Sequence, residues 1–234
     1  MEPEIVDLAN ILNRMGAKVI GAGSNIIKIQ GVKNLKDVSY HIMPDRIEAG
    51  TFLLITAATR GNIKLNNVIP EHLNSVISKL EESGAKFDIS KNSIYMEVPN
   101  KLNPVEIRTL PYPGFPTDLQ QPFASFLCTV KGTSIITETI FENRFKYVQE
   151  LTRMGTKITQ EGNTIIINGG KKMHGTTLES TDLRGGAAMV LLALCSKGTS
   201  RISKIEYIER GYSNFHLKLQ KLGAKINLEM GDKI

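Results

Sequence analysis

One phrase recurs four times along this chain and constrains the fold more than any other feature. Leu12-Asn13-Arg14-Met15-Gly16-Ala17-Lys18-Val19 returns as Leu80-Glu81-Glu82-Ser83-Gly84-Ala85-Lys86-Phe87. It returns again as Leu151-Thr152-Arg153-Met154-Gly155-Thr156-Lys157-Ile158, and as Leu219-Gln220-Lys221-Leu222-Gly223-Ala224-Lys225-Ile226. The glycines stand 68, 71 and 68 residues apart. Such a period marks a repeated supersecondary unit, in which each copy buries its apolar face against the next.

Each phrase reads as a helix end. Apolar residues precede it at helical spacing, as in Ile5, Leu8, Leu12 and Met15, or Leu73, Val76, Ile77 and Leu80. The glycine then suits the left-handed position that closes a helix. A short strand, a turn (Gly23-Ser24-Asn25, Lys91-Asn92, Gly162-Asn163) and a second strand follow. The second strands are expected at Ile26–Ile29, Ile94–Val98 and Thr164–Ile167.

A different helix fills the other half of each unit, through Phe52–Ala58, Phe123–Cys128 and Ala187–Cys195. These segments are apolar all round, so protein must surround them. Each ends near a basic-Gly pair: Arg60-Gly61, Lys131-Gly132 and Lys197-Gly198. One helix layer cannot cover three such helices. They therefore belong at the centre, with sheets and amphipathic helices outside. The first unit opens at its amphipathic helix. The last closes at Ile226-Asn227-Leu228 and a polar tail with no strand partner. The 234 residues thus start and stop in mid-unit, and the strand edges left this way favour self-association.

Composition narrows the function classes. Apolar residues make up 41% of the chain, which excludes a disordered chain. The longest apolar run, Ala187–Cys195, is far short of the roughly 20 residues a membrane span needs. Glu2, Glu4 and Asp7 stand where a signal peptide would be basic and then apolar. A net charge of +6 suits anionic partners, yet no aromatic-basic interleaving marks a nucleic-acid platform. Cys128 and Cys195 lie in apolar stretches and read as buried free thiols, which fits a reducing cytoplasm. His41, His72, His174 and His216 lack metal-ligand spacing, and neither a P-loop nor a complete dinucleotide fingerprint occurs; no metal or cofactor is expected.

The residues between the repeats carry the chemistry. Pro111-Tyr112-Pro113-Gly114-Phe115-Pro116 forms a stiff loop before Thr117 and Asp118. All three central helices open with an acidic residue nearby: Asp45, Asp118 and Asp182. Thr117 or Asp118 is expected to cap the second of these helices, and at all three starts the helix dipole favours the acid. Arg46 and Arg184 follow closely, and three such helix ends pointing the same way would form a mouth for an anion. Arg144 and Arg210, 66 residues apart, occupy related places; they read either as ion pairs with Glu142 and Glu209 or as a ligand clamp.

Several stretches are specific enough to identify a resemblance. They are Phe115-Pro116-Thr117-Asp118, Thr137-Glu138-Thr139-Ile140-Phe141-Glu142-Asn143-Arg144-Phe145, Thr181-Asp182-Leu183-Arg184 and Glu209-Arg210-Gly211-Tyr212, with Glu2–Asp7 and Pro44–Thr51. Together, and in order along nearly the whole chain, they closely resemble the UDP-N-acetylglucosamine 1-carboxyvinyltransferase family, specifically its C-terminal portion. The resemblance implies an α/β fold of βαβαββ units in inside-out barrels: residues 1–42 from the end of one domain, and 43–234 a nearly complete second domain. It implies transfer of the enolpyruvyl group of phosphoenolpyruvate to the 3-hydroxyl of UDP-N-acetylglucosamine, the first committed step of peptidoglycan synthesis.

By the same resemblance, Asp118 bonds the 3-hydroxyl and is the candidate general base, and Ile140 meets the nucleotide sugar through its backbone. Arg210 clamps phosphoenolpyruvate, while Arg144, Asp182 and Arg184 line the cleft. Paired arginines suit a reaction that builds charge on a carboxylate and a phosphate. The Lys-Asn pair that the family carries near its N-terminus and its Pro-Gly-Gly-Cys loop are not matched in these 234 residues, and neither cysteine stands in such a loop. The expectation is a chain that holds part of the sugar site but does not turn over alone. The competing readings are a UDP-sugar-binding or regulatory module without catalysis, a basic nucleic-acid binder, and the related 5-enolpyruvylshikimate-3-phosphate synthase.

Overall fold

In the computed structural model, which describes residues 1–229, three helices run through the core. They are α2 (Arg46–Thr59), α4 (Thr117–Cys128) and α6 (Leu183–Leu194). Their apolar residues face protein on every side: Leu53, Leu54, Leu119, Phe123, Phe126, Ala187 and Leu191 have no exposed surface. Each fully buried Leu or Phe contributes about 1.5–3 kcal/mol, so this trio supplies a large share of the driving force for folding. Small residues allow the close approach. A Cβ at Gly50 would collide with the Leu119 side chain, so α2 and α4 cross at that glycine.

Sheets and amphipathic helices surround the trio. The remaining elements are α1 (Pro3–Arg14), β1 (Lys18–Ile20), β2 (Lys28–Gln30), β3 (Asn62–Asn66), α3 (Asn74–Ser83), β4 (Lys86–Ser90), β5 (Ser93–Glu97) and β6 (Glu106–Arg108). They continue through β7 (Gly132–Thr137), α5 (Tyr147–Arg153), β8 (Ile158–Glu161), β9 (Thr164–Gly169), β10 (Thr177–Glu179), β11 (Arg201–Ser203), α7 (Glu206–Glu209) and α8 (Phe215–Lys221). The unit β6-α4-β7-α5-β8-β9 is a complete βαβαββ repeat. Its sheet has the order β6-β7-β9-β8, with β6 parallel to β7 and the other pairs antiparallel. Before it stands the three-stranded sheet β3-β5-β4, and after it the parallel pair β10-β11. The inside-out α/β arrangement expected from three fully apolar helices is therefore present.

The helix-end glycines behave as the repeated phrase requires. Gly16, Gly84, Gly155 and Gly223 have φ of 102°, 115°, 90° and 94°, a region a side chain reaches only with strain. The expected face is buried, through Leu73 at the end of the 3-10 turn Pro70–Leu73 and Val76, Ile77 and Leu80 of α3.

The N-terminal segment differs from expectation. Ile5 and Leu8 of α1 are exposed, and α1 instead buries Pro3 and Ala9. The following hairpin is short, with Val19 opposite Ile29. Its second strand starts at Lys28 rather than Ile26. The Ser24 hydroxyl donates to the carbonyls of Gly21 (2.7 Å) and Ile26 (3.0 Å), which takes Ile26 out of the ladder. Asp7 ties α1 to the next segment by accepting from the Tyr40 hydroxyl at 2.6 Å and the Met43 N–H at 3.3 Å. The expectations that reach residues 230–234 fall outside the described residues. No helix among the described residues is long and apolar enough to cross a membrane.

Candidate functional site

The loop Leu110–Pro116 leads the chain from β6 into α4. Its turn is closed by the Gly114 N–H donating to the Pro111 carbonyl (2.8 Å), and its base by the Leu110 N–H donating to the Phe115 carbonyl (3.0 Å). The residue at the cap position of α4 is Pro116, whose side chain can accept nothing. Thr117 and Asp118 consequently fall inside the first turn. The expectation that one of them caps α4 is corrected here: neither does. The other two central helices are capped by their own acids. The Asp45 carboxylate accepts from the N–H groups of Ile47 (2.7 Å) and Glu48 (3.0 Å), and Asp182 from those of Arg184 and Gly185 (both 3.0 Å). Pro122, inside α4, has no N–H to offer the Asp118 carbonyl.

Released from capping, Asp118 turns to two arginines. Its Oδ1 accepts from Arg144 at 2.6 Å. Its Oδ2 accepts from Arg184 Nε at 3.3 Å and from a terminal guanidinium nitrogen at 3.1 Å. Asp118 remains 38% exposed, while Arg184 is only 12% exposed. Arg184 lies in the first turn of α6, so its contact brings the starts of α4 and α6 together. Arg144 comes from the segment between β7 and α5, where Asn143 turns the chain at a φ of 54°. Its expected pairing with Glu142 does not form; the guanidinium instead lies over the Phe141 ring, 4.9 Å from its centre, and bonds Asp118.

The third helix joins through Tyr212. This fully buried ring lies under the Arg184 guanidinium, 5.2 Å from its centre, and its hydroxyl shares a 2.9 Å hydrogen bond with Thr51 of α2. Burial pushes the Tyr212 phenol above its ordinary pKa, so the ring stays neutral. For Arg184, burial opposes the charge, but Tyr212 and Asp118 outweigh it and the pKa sits above its ordinary value. Two guanidinium atoms, Arg144 Nε and Arg184 Nη1, are buried without a partner among the described residues. Buried cationic donors left in that state call for an acceptor.

Asp182 stands beside the pair. Besides capping α6, it accepts from the Thr181 hydroxyl at 3.2 Å and from the Gln121 amide at 3.5 Å. The Ile140 N–H donates to Glu138 at 2.8 Å, on the turn that leads to Arg144. Arg210 is not drawn in: it is exposed, just after α7, and forms no ion pair among the described residues. Arg46 also belongs elsewhere. It pairs with Glu4 of α1 at 2.8 Å and lies over the Tyr112 ring.

Both cysteines are inert here. Burial pushes the Cys128 thiol up to about 12 and the Cys195 thiol up to about 11; Cys128 is buried as expected, whereas Cys195 is only half-buried. Glu138 and Tyr212 stand within the motifs above, and only their burial marks them as part of the site.

Comparison with known proteins gives the family and the fold. Residues 1–219 match the family profile of EPSP synthase (3-phosphoshikimate 1-carboxyvinyltransferase). The chain is 51% identical over 227 residues to UDP-N-acetylglucosamine 1-carboxyvinyltransferase 2 of Carboxydothermus hydrogenoformans, spanning 96% of this chain and 54% of that protein. The enolpyruvyl transferase NikO from Streptomyces tendae superposes with a TM-score of 0.84 at 25% identity, over 97% of this chain and 55% of that one. EPSP synthase from Acinetobacter baumannii shares the fold, with a TM-score of 0.71 at 20% identity over 95% of this chain and 55% of that one. The chain therefore spans about half the length of the relatives it matches. On these grounds it belongs to the EPSP synthase (3-phosphoshikimate 1-carboxyvinyltransferase) family.

Proposed function

We propose that this chain supplies the sugar-binding half of an enolpyruvyl transferase that moves the enolpyruvyl group of phosphoenolpyruvate onto the 3-hydroxyl of UDP-N-acetylglucosamine. The observation that carries the reading is the triad of Asp118, Arg144 and Arg184, with two buried guanidinium donors left unpartnered. The 51% identity to a UDP-N-acetylglucosamine 1-carboxyvinyltransferase, against 20% to an EPSP synthase, favours the nucleotide sugar over shikimate phosphate as acceptor.

Asp118 binds the attacking hydroxyl. Its Oδ1 accepts a single arginine bond and keeps a lone pair for a further donor. Transfer requires that hydroxyl to lose its proton as its oxygen bonds to the enol carbon, and Asp118 is the group within reach to receive it. The enol π pair takes up a proton at the methylene carbon, from a general acid these 234 residues do not contain. That proton is lost again as phosphate departs with the C–O electron pair, which restores the double bond. Arg144 and Arg184 hold the anionic groups that this step creates, Asp182 accepts from the sugar, and the Ile140 backbone bonds it. Arg210 reaches phosphoenolpyruvate only if the segment after α7 moves inward. Residues 1–42 belong to one domain and the remainder to the next. Two thiols that stay protonated fit work in a reducing cytoplasm.

Catalysis also calls for a reactive cysteine loop and for the family's N-terminal Lys-Asn pair; neither stands in these 234 residues, whose Lys33-Asn34 and Lys91-Asn92 lie outside those motifs. A coupled phosphate-release assay with both substrates tests this. The chain alone should release no phosphate above background, and turnover at an ordinary enzyme rate would overturn the need for those groups.

A further inference from the structure

We propose that Glu138 is a positioning residue, whose buried carboxylate fixes the Ile140 turn to the first turn of α4 and so sets where Asp118 stands. The proposal rests on the nucleotide-sugar reading of the site, and deepens it.

Glu138 is 2% exposed. Among the described residues it has no Lys or Arg partner, yet uncharged donors surround its carboxylate. Oε1 accepts from the Thr109 hydroxyl (2.8 Å), the Ile140 N–H (2.8 Å) and the Phe141 N–H (3.2 Å). Oε2 accepts from the Thr117 hydroxyl at 2.8 Å. These donors come from three places: the end of β6, the turn after β7, and the start of α4. One side chain joins all three.

The clamp is itself anchored. The Glu138 N–H donates to the Asn163 carbonyl at 2.8 Å, and the Asn163 amide donates to the Glu138 carbonyl at 3.0 Å, so the β8-β9 turn holds its backbone. Thr139 bonds Thr109 twice, through its N–H at 2.8 Å and its hydroxyl at 2.5 Å. Thr117 immediately precedes Asp118, and Ile140 follows Glu138 by two residues. The separation between the Asp118 carboxylate and the Ile140 backbone is therefore carried by this one carboxylate.

Chemistry explains the residue type. A glutamine would place an NH₂ group against donors that need an acceptor, and an apolar residue would leave four donors unpaired. Burying a charge without a counter-ion is costly, and for stability alone an uncharged replacement of the whole cluster would serve as well. Charge-assisted bonds are shorter and stiffer, which suits a part that holds geometry.

The test uses the full chain with Glu138→Gln, Thr117→Val and the double variant. Thr117→Val removes only the link to α4 and keeps the fold testable if Glu138→Gln does not fold. Without ligand, Glu138→Gln should speed amide exchange at Ile140 and Phe141 by about tenfold while Leu127 in the core is unchanged. Both single variants should shift the side-chain Nε–H resonances of Arg144 and Arg184, which report on Asp118. With UDP-N-acetylglucosamine as probe, each should weaken binding, and the double variant should lose no more than Glu138→Gln alone. Unchanged arginine resonances, uniform exchange across the core, or additive losses of affinity would overturn the proposal. If the unaltered chain does not bind the probe, the nucleotide-sugar reading fails, while the exchange and resonance changes still decide the role of Glu138.

Discussion

Asp118 and Arg184 are 66 residues apart in sequence and meet at 3.1 Å, across the starts of two neighbouring central helices. Arg144 closes on the other carboxylate oxygen at 2.6 Å. Replacing Asp118 with Ala leaves two guanidinium groups facing each other. The chain should lose about 1 kcal/mol of stability, the modest figure for a partly exposed site, and added salt should restore much of it. Urea unfolding at low and high salt checks this. Equal stability at both would mean the arginines are held by something other than Asp118.

The three acidic residues at helix starts separate cleanly. Asp45→Ala and Asp182→Ala each remove a side-chain cap and should cost about 1 kcal/mol at any salt concentration. The Asp118 effect should instead be salt-dependent. Paired denaturation series on the three variants distinguish a cap from a charge clamp.

Packing at Gly50 gives a sharper test of the core. An added methyl would strike the buried Leu119 side chain where α2 crosses α4. Gly50→Ala should destabilise the chain by about 1–3 kcal/mol despite the helix propensity it gains. Thermal unfolding that is unchanged or improved would show that the helices can part at no cost.

Much of this was legible in sequence because it is local. The repeated glycine marks a helix end through backbone conformation alone, and all four copies adopt positive φ. The three apolar helices needed no long-range information, since a helix with no polar face has only one place to go. Asp118 departs from the capping expectation for a local reason: Pro116 takes the cap position and leaves the acid two residues further in, within the first turn. The partner of Arg144 lies 26 residues away across the fold, so sequence proximity pointed to Glu142 instead. Glu138 carried no signal beyond its motif, because its four donors converge only after β6, β7 and α4 are assembled.

Alkaline pH should unfold the chain early. The Cys128 thiol has a folded pKa of about 12 against an ordinary value of 9.0, and Cys195 reaches about 11. The folded state thus holds protons that the unfolded state releases. The stability this provides is complete below pH 9 and is lost as pH rises through the folded values. Thermal unfolding with a reductant between about pH 8 and 11 should show a falling midpoint, and Cys128→Ala should flatten that fall.

The N-terminal hairpin predicts association. Ile29 lies opposite Val19 as Ile167 lies opposite Ile158, and both Val19 and Ile158 stand three residues beyond a helix-end glycine. Ile167 is fully buried, whereas Ile29 is 74% exposed. An apolar strand face left open in this way favours pairing with another chain. Sedimentation should show concentration-dependent assembly, and Ile29→Lys should reduce it. A monomer at all concentrations would contradict this.

A calorimetric titration of the unaltered chain and of Arg184→Ala with UDP-N-acetylglucosamine tests the site at the Asp118 cluster most directly. The unaltered chain should bind in the micromolar range, and Arg184→Ala should weaken binding at least about tenfold, or about 1.4 kcal/mol. Equal affinity in the two, or no binding by either, would contradict a nucleotide-sugar site at the Asp118 cluster.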